Sequence, residues 1–483
     1  MVNIENLSFH YQNSDEASLH AISLHIPAGA CVLLCGESGC GKTTVTRLLN
    51  GLIPHYYEGT LEGSAEVCGM NIRETPLEQI AAKVGSVFQN PRSQFFCVDT
   101  TGELAFGCEN MGLPEDEIRK RIDETVRDMH IEPLLDRNIF NLSGGEKQKI
   151  ACAGVSVMNP ALLVLDEPTS NLDTDAIEML KDILKLWKRS GKTIVIAEHR
   201  LGWLSEIADK VILMQEGRIT ASYSGAEFFS KPDSELNALG LRGMQAERDY
   251  LHAETGFYPC DPAAPVSAEC YRLCNFDFAY QKNKPVLHLD GIEIPKHAVV
   301  AVVGHNGAGK STFSKCLCGL QKKFRGSIRS GDAEYKSKQL RGLCYFVMQD
   351  VNHQLFTDSV LEEIMLGMHE PDEAAALDVL SRMDLTAFKD RHPMSLSGGQ
   401  KQRTAICSAY LSDREILIFD EPTSGLDFRR MQETADLIRT LSRDKTIFIV
   451  THDMELIAKC CTHILHLERA GQAVPASDRL KFE

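Results

Sequence analysis

The chain has 483 residues, 43% of them hydrophobic and 24% charged, with a formal net charge of −16. That length exceeds a single core and implies about two to four domains. The acidic balance argues against a dedicated nucleic-acid binder, and the mixed composition excludes a disordered chain. The opening Met1–Asn6 lacks the basic and apolar blocks of a secretory leader. No apolar run approaches the roughly eighteen residues of a membrane helix, so a membrane role would need a partner. Sixteen cysteines occur with no C-x-x-C spacing, mostly inside apolar runs. They read as small buried residues of a reducing compartment.

In chain order, Asn6–Tyr11 and Leu19–Ile26 alternate as strands do, and Cys31–Cys35 is a continuous apolar run of the buried-strand kind. Next comes Gly36-Glu37-Ser38-Gly39-Cys40-Gly41-Lys42-Thr43-Thr44, which fits G-x-x-x-x-G-K-[ST], and then a helix-like segment to Asn50. Strand, glycine loop and helix form the context a phosphate cradle requires. Glycines let successive backbone N–H groups face one anion, and the helix N-terminus adds partial positive charge. Lys42 can reach outer phosphates, and the Thr43 hydroxyl can ligate Mg²⁺.

Leu162–Asp166 is an apolar strand that ends in Asp166-Glu167-Pro168. In a parallel sheet the strand C-termini face the ligand, so this acid pair falls beside the glycine loop. Asp166 suits a metal shell, and Glu167 suits the orientation and deprotonation of water. Leu142-Ser143-Gly144-Gly145-Glu146 is a capping box in form. Its two glycines weaken the helix and leave N–H groups bare, which suits a second phosphate contact. Ser234–Gly240 reads as a short helix closing the first half, and Pro259–Pro265 as an irregular linker.

The second half repeats the first. Phe276–Tyr280 and Val286–Ile294 lead to Gly304-His305-Asn306-Gly307-Ala308-Gly309-Lys310-Ser311-Thr312. Ser397-Gly398-Gly399 and Asp420-Glu421 follow in the same order and at nearly constant spacing, which means tandem homologous domains. The boundaries read from this are 1–240, a linker at 241–269, and 270–483.

The order phosphate loop, glutamine, LSGG with Glu or Gln, LDEP or FDEP, then a histidine after an apolar strand resembles the ABC transporter ATPases, over nearly the whole chain and twice. The resemblance implies two tandem P-loop NTPase domains of α/β class. Each would have a RecA-like core, an antiparallel β subdomain and an α-helical subdomain. It implies ATP and Mg²⁺, with Thr43, Gln89 and Asp166, and Ser311, Gln349 and Asp420, around the metal. Glu167, Glu421, His199 and His452 would be catalytic, and Tyr11 and Tyr280 would stack on adenine. It also implies head-to-tail pairing of the domains, each nucleotide shared between one phosphate loop and the other domain's LSGG serine, Ser143 or Ser397.

The segments after Gln89 and Gln349 follow Q-x-x-x-x-Q-[FL]-F, through Phe95-Phe96 and Leu355-Phe356. This pattern, with Ala197-Glu-His-Arg200, is similar to the ATPases of energy-coupling factor (ECF) importers of vitamins or metal ions. That resemblance implies an integral-membrane transmission subunit, a membrane substrate-binding subunit and a peripheral place on the cytoplasmic membrane face. A sugar-importer tandem ATPase or a soluble tandem ABC protein is the alternative. Both centres retain every expected residue, so two hydrolysis-competent sites are expected.

Overall fold

The computed structural model describes residues 1–12, 17–170, 172–244, 256–261, 269–281 and 284–467. The chain divides into two compact units after residue 245.

The first unit opens with β1 (Val2–Tyr11) and β2 (Leu19–Ile26), then β3 (Cys31–Cys35), β4 (Gly59–Val67), β5 (Met70–Asn71) and β6 (Val84–Val87). Its later strands are β7 (Leu162–Asp166), β8 (Thr193–Ala197), β9 (Lys210–Gln215) and β10 (Arg218–Ser224). They form an antiparallel sheet of order β2-β1-β4-β5 and a six-stranded sheet of order β10-β9-β3-β8-β7-β6. Pairing in the larger sheet is parallel except for β10 on β9.

β3 is apolar throughout because both of its faces are covered. Cys31, Leu33 and Cys35 pack with the flanking helices, among them Leu180 and Trp187. Val32 and Leu34 pack with Val45 and the antiparallel sheet. Helices Thr100–Asn110, Glu115–Met129 and Gly144–Val157 lie between β6 and β7 and form the helical part.

The second unit contains β11 (Gly256–Pro259), β12 (Cys270–Cys274), β13 (Phe276–Gln281), β14 (Lys284–Leu289), β15 (Glu293–Pro295) and β16 (Val299–Val303). It continues with β17 (Ser327–Ser330), β18 (Ala333–Lys336), β19 (Cys344–Val347), β20 (Ile416–Asp420), β21 (Thr446–Val450) and β22 (His463–His466). The core sheet has order β11-β22-β16-β21-β20-β19, beside antiparallel sheets β15-β12-β17-β18 and β13-β14. The apolar stretch Val286–Ile294 is split between β14 and β15, with Gly291 at φ 70° in the break.

The stretch 241–269, read from the sequence as a linker, contains a strand. Its residues Gly256–Pro259 form β11, which pairs antiparallel with β22 in the register Gly256↔His466 to Pro259↔His463. In the first unit that edge is β10, the hairpin partner of β9. A strand borrowed from the joining segment covers the same edge in the second unit, satisfying backbone groups otherwise left unpaired. Phe257 stacks on His463 with ring centroids 5.2 Å apart. Residues 245–255 and 262–268 of the expected linker lie outside the described residues. The short helix expected at Ser234–Gly240 is present as Asp233–Ala238. None of the sixteen cysteines forms a disulfide, and most are buried.

Candidate functional site

The glycine loop leaves the C-terminal end of β3. Gly36 has φ 148°, and a Cβ there would lie 2.2 Å from the Met214 carbonyl oxygen, so no side chain fits without moving backbone. Helix Lys42–Leu49 starts behind Gly41, at φ 100°, with no side chain capping it. Its first amides are therefore available to an anion. Lys42 is buried and its Nζ donates to the carbonyl oxygens of Gly36 at 2.9 Å and Glu37 at 3.0 Å, spanning the loop. Ser38, Gly39 and Cys40 complete the turn, and Thr44 lies in the first turn of the helix; Cys40 Sγ lies 3.8 Å from the same ammonium.

The second loop repeats this geometry. Gly304 has φ 142°, with a Cβ position 2.2 Å from the Leu467 carbonyl oxygen, and Gly309 uncaps helix Lys310–Leu317. Lys310 Nζ donates to Gly304 O at 2.6 Å and His305 O at 3.1 Å. The two candidate adenine-facing tyrosines are also placed alike. Tyr11 Oη is 3.4 Å from Thr44 Oγ1, and Tyr280 Oη is 3.2 Å from Thr312 Oγ1. Arg47, absent from the sequence reading, donates to Tyr11 Oη at 3.1 Å and lies over the Tyr57 ring.

β7 and β8 bring the acids and the histidine to that loop. Thr43 Oγ1 donates to Asp166 Oδ1 at 3.3 Å. Glu167 sits at φ 45°, its N–H donating to Ala197 O at 2.8 Å, which turns the side chain back over the strand ends. Its carboxylate accepts from Gln89 Nε2 at 2.8 Å and lies 3.3 Å from His199 Nε2. Three stretches far apart in sequence, carrying Gln89, Asp166-Glu167 and His199, thus converge beside one loop. Burial holds the imidazole well below its usual range, with Lys42 adding to the effect, so His199 is held neutral. Burial also raises Glu167, and it pushes Asp166 up to about 6 with help from Glu167.

In the second unit Glu421 has the same backbone strain at φ 49°, and its N–H donates to Val450 O at 2.8 Å. His452 Nε2 stands 3.9 Å from Glu421 Oε1, and Thr451 Oγ1 donates to Glu421 Oε2 at 3.3 Å. Burial pushes Asp420 up to about 6. The Thr43–Asp166 bond has no counterpart between Ser311 and Asp420 among the described residues. Gln349 is exposed at the start of the loop after β19.

The LSGG segments form capping boxes in both units. Ser143 N–H donates to Glu146 Oε2 at 2.7 Å, and Glu146 N–H to Ser143 Oγ at 3.3 Å. Ser397 and Gln400 repeat the pair at 2.9 and 3.4 Å. Ser143, Gly144, Ser397 and Gly398 are exposed, and Gly145 is buried with a Cβ position 2.9 Å from Ala176. The capping box thus accounts for helix initiation, and the exposed serines keep their outward faces available.

The loops after Gln89 and Gln349 carry a second repeated device. Gln94 Oε1 accepts from Phe88 N–H and its Nε2 donates to Ser86 O, both at 3.2 Å. Gln354 does the same with Met348 N–H and Phe346 O, both at 3.1 Å. Buried Glu103 accepts from the amides of Phe96 at 3.0 Å and Cys97 at 2.8 Å. Buried Glu363 accepts from Phe356 N–H, Thr357 N–H and Thr357 Oγ1 at 3.0, 3.0 and 2.8 Å. These two glutamates were missed from sequence, although both lie the same number of residues after their glutamines. The clamp presents Phe96, 74% exposed, and Phe356, 70% exposed, outward. Of the four residues that end the repeated glutamine pattern, Phe95, Phe96, Leu355 and Phe356, only Phe96 and Phe356 face outward. Leu355 is buried and Phe95 packs on the core, because successive residues of the loop point to opposite sides. Phe96 stacks on Phe106 with centroids 4.8 Å apart, beside an apolar groove of about 840 Å³.

Comparison with known proteins follows the same two-fold pattern. Residues 19–170 and 288–424 match the family model described as ABC transporter. A Treponema denticola chain named as an ABC transporter ATP-binding protein is 44% identical over 97% of this chain and 95% of its own length. A Bacillus subtilis protein named for HMP/thiamine import, as an ATP-binding protein, is 31% identical over 100% of this chain and 92% of its own. Among solved structures, one of ribosome-bound archaeal Pelota and ABCE1 aligns with TM-score 0.65 over 94% of this chain and 75% of that chain, at 20% identity. That likeness is one of fold.

Proposed function

We propose a transport role on the premise that the chain belongs to the ABC transporter family, as an ATP-binding and ATP-hydrolysing chain of two α/β P-loop domains. On this reading it is the energy-coupling subunit of an importer of the energy-coupling factor kind, bringing vitamins, their precursors or metal ions into the cell. Its partners would be an integral-membrane transmission subunit and a small membrane substrate-binding subunit. Among the described residues no helix is long and apolar enough to cross a membrane. The chain would therefore work as a peripheral subunit on the cytoplasmic membrane face.

The observation that carries this reading is the repeated clamp. Gln94 with Glu103, and Gln354 with Glu363, fix an exposed phenylalanine directly downstream of a glutamine. In the first unit the phenylalanine borders an apolar groove lined by Phe106, Met111, Leu77 and Met158. An amphipathic helix from a membrane partner's cytoplasmic loop has the apolar stripe to fill such a groove. The relative named for HMP/thiamine import supports the same direction.

The residues also fit the cation that ATP brings. A hydroxyl and one carboxylate, Thr43 and Asp166, leave most positions of a small hard ion to phosphate oxygens and water, as Mg²⁺ prefers. When bound, Mg²⁺ would neutralise phosphate charge. Lys42 and the loop amides would hold the phosphates, and Glu167 would orient and deprotonate water while Gln89 and His199 fix its carboxylate. Lys310, Glu421 and His452 would do the same in the second centre. Head-to-tail pairing, with Ser397 closing the first nucleotide and Ser143 the second, completes the proposal. It gives the exposed LSGG helix starts a ligand.

The test is purification of the tagged full chain from detergent-solubilised membranes, alongside its Phe96→Asp variant. Wild type should carry integral-membrane subunits, and the variant should lose most of them while retaining ATP binding. A wild-type chain that brings down ribosomes and no membrane protein would remove the importer reading.

A further inference from the structure

The two hydrolysis centres share their backbone but differ in the side chains that support the histidine. Glu198 and Thr451 occupy the same place, immediately after β8 and β21. Glu198 N–H donates to Leu34 O at 3.1 Å, and Thr451 N–H to Val302 O at 3.4 Å. Beyond that the two differ. Glu198 is 2% exposed, and its Oε1 accepts from both the His199 and Arg200 amides at 3.1 Å. Thr451 Oγ1 instead donates to Glu421 and accepts from Asp453 N–H at 3.0 Å. In the second centre the buried acid has moved to the other side of the histidine. Asp453 Oδ2 accepts from Thr423 Oγ1 at 2.6 Å, and its Oδ1 caps helix Met454–Cys460 through Leu456 N–H at 3.2 Å.

We infer that Glu198 is a positioning residue for His199, and that the second centre achieves the same end with a different pair, Thr451 and Asp453. His199 holds Nε2 3.3 Å from Glu167 from the turn that follows β8. Collecting two consecutive amides on one carboxylate oxygen fixes that turn, as buried N–H groups demand partners. The arrangement is costly, which argues against a merely tolerated acid. Burial first, and Glu167 next, push the Glu198 carboxyl up to about 7. Its neighbour Thr169, fully buried, is near enough to favour the charged form but outside hydrogen-bonding geometry, and Glu198 Oε2 is left without a hydrogen bond. The two centres are therefore unequal in construction, and each should fail through a different residue. This rests on Glu167 and His199 being the hydrolytic pair, which Glu167→Gln tests separately.

The experiment is steady-state ATP hydrolysis by the full chain carrying Glu198→Ala, Glu198→Gln or Asp453→Ala. Glu198→Ala should lower kcat to half of wild type or below with KM for ATP within two-fold, because the phosphate loop is untouched. Glu198→Gln keeps an oxygen for both amides and should restore most of kcat. Asp453→Ala should lower kcat through the other centre. If Glu198→Ala does not fold, Glu198→Thr takes its place, since a threonine cannot reach both amides. Wild-type kcat in the alanine variant, a loss confined to KM, or a glutamine variant as slow as alanine would each overturn the assignment. Undiminished hydrolysis in Glu167→Gln would instead overturn the reading of the hydrolytic pair.

Discussion

Removing the Glu103 carboxylate tests the clamp directly. One oxygen of this buried side chain accepts two backbone N–H groups, from Phe96 at 3.0 Å and Cys97 at 2.8 Å. Hydrogen bonds to a charged acceptor each contribute about 1.5–3 kcal/mol. The loop can reopen to water and recover part of that, so Glu103→Ala should cost about 2–4 kcal/mol. For a domain of this size each kcal/mol corresponds to roughly 2–4 °C, so the first unit should melt on the order of 4–16 °C lower. Glu103→Gln keeps an acceptor oxygen and loses only the charge, which should cost about 1 kcal/mol. The twin gives an internal control. Glu363 accepts three bonds, including the Thr357 hydroxyl at 2.8 Å, so Glu363→Ala should be the more damaging substitution. Thermal unfolding measures the cost, and hydrogen exchange of the peptide spanning Phe96 and Cys97 reports the loop itself. A Glu103→Ala protein within about 0.5 kcal/mol of wild type, or with unchanged exchange at those amides, would refute the clamp.

The other expectations are more local. Gly36→Ala places a methyl 2.2 Å from the Met214 carbonyl at φ 148°, so nucleotide affinity, read by titration with a fluorescent ATP analogue, should fall at least ten-fold. Glu167→Gln and Glu421→Gln should each bind ATP but lose most hydrolysis, and full activity in either variant would overturn the hydrolytic role read for that glutamate. Glu198 carries a pH signature. Its folded-state pKa of about 7 lies above the ordinary carboxylate range, so the native chain holds this proton longer than the unfolded one. Its contribution therefore becomes less favourable as pH rises through the interval from the ordinary value to about 7. Glu198→Gln should gain on wild type across that interval, by on the order of 1 kcal/mol near pH 5.5 and about 3 kcal/mol near pH 7. Melting curves that stay parallel at all pH values would contradict this.

The parts of the fold legible in sequence are those set by local periodicity or by a glycine requirement. β3 and β7 read directly because a strand covered on both faces must be apolar throughout, and the glycine loops read because Gly36 and Gly304 admit no side chain. The site followed, since Lys42, Asp166, Glu167 and His199 all stand at the ends of such strands or on the loop itself. β11 was illegible for the opposite reason. Gly256–Pro259 has no strand-like alternation, and its state is decided by an unpaired edge on β22, more than two hundred residues later in the chain.

The same distinction separates what repeats from what diverges. Backbone devices recur with little change: the positive-φ glutamates, the uncapped helix starts behind Gly41 and Gly309, and the carboxylate clamps on Phe96 and Phe356. Side chains that act through another residue are less constrained, because any group that satisfies the same amides will serve. Glu198 in one unit and Asp453 in the other show this, as does the Thr451 bond to Glu421. A comparison of motifs alone finds two intact centres and infers two equivalent ones. The hydrogen bonds behind the motifs give them different supports, so equal residues at the front of the site do not imply equal rates.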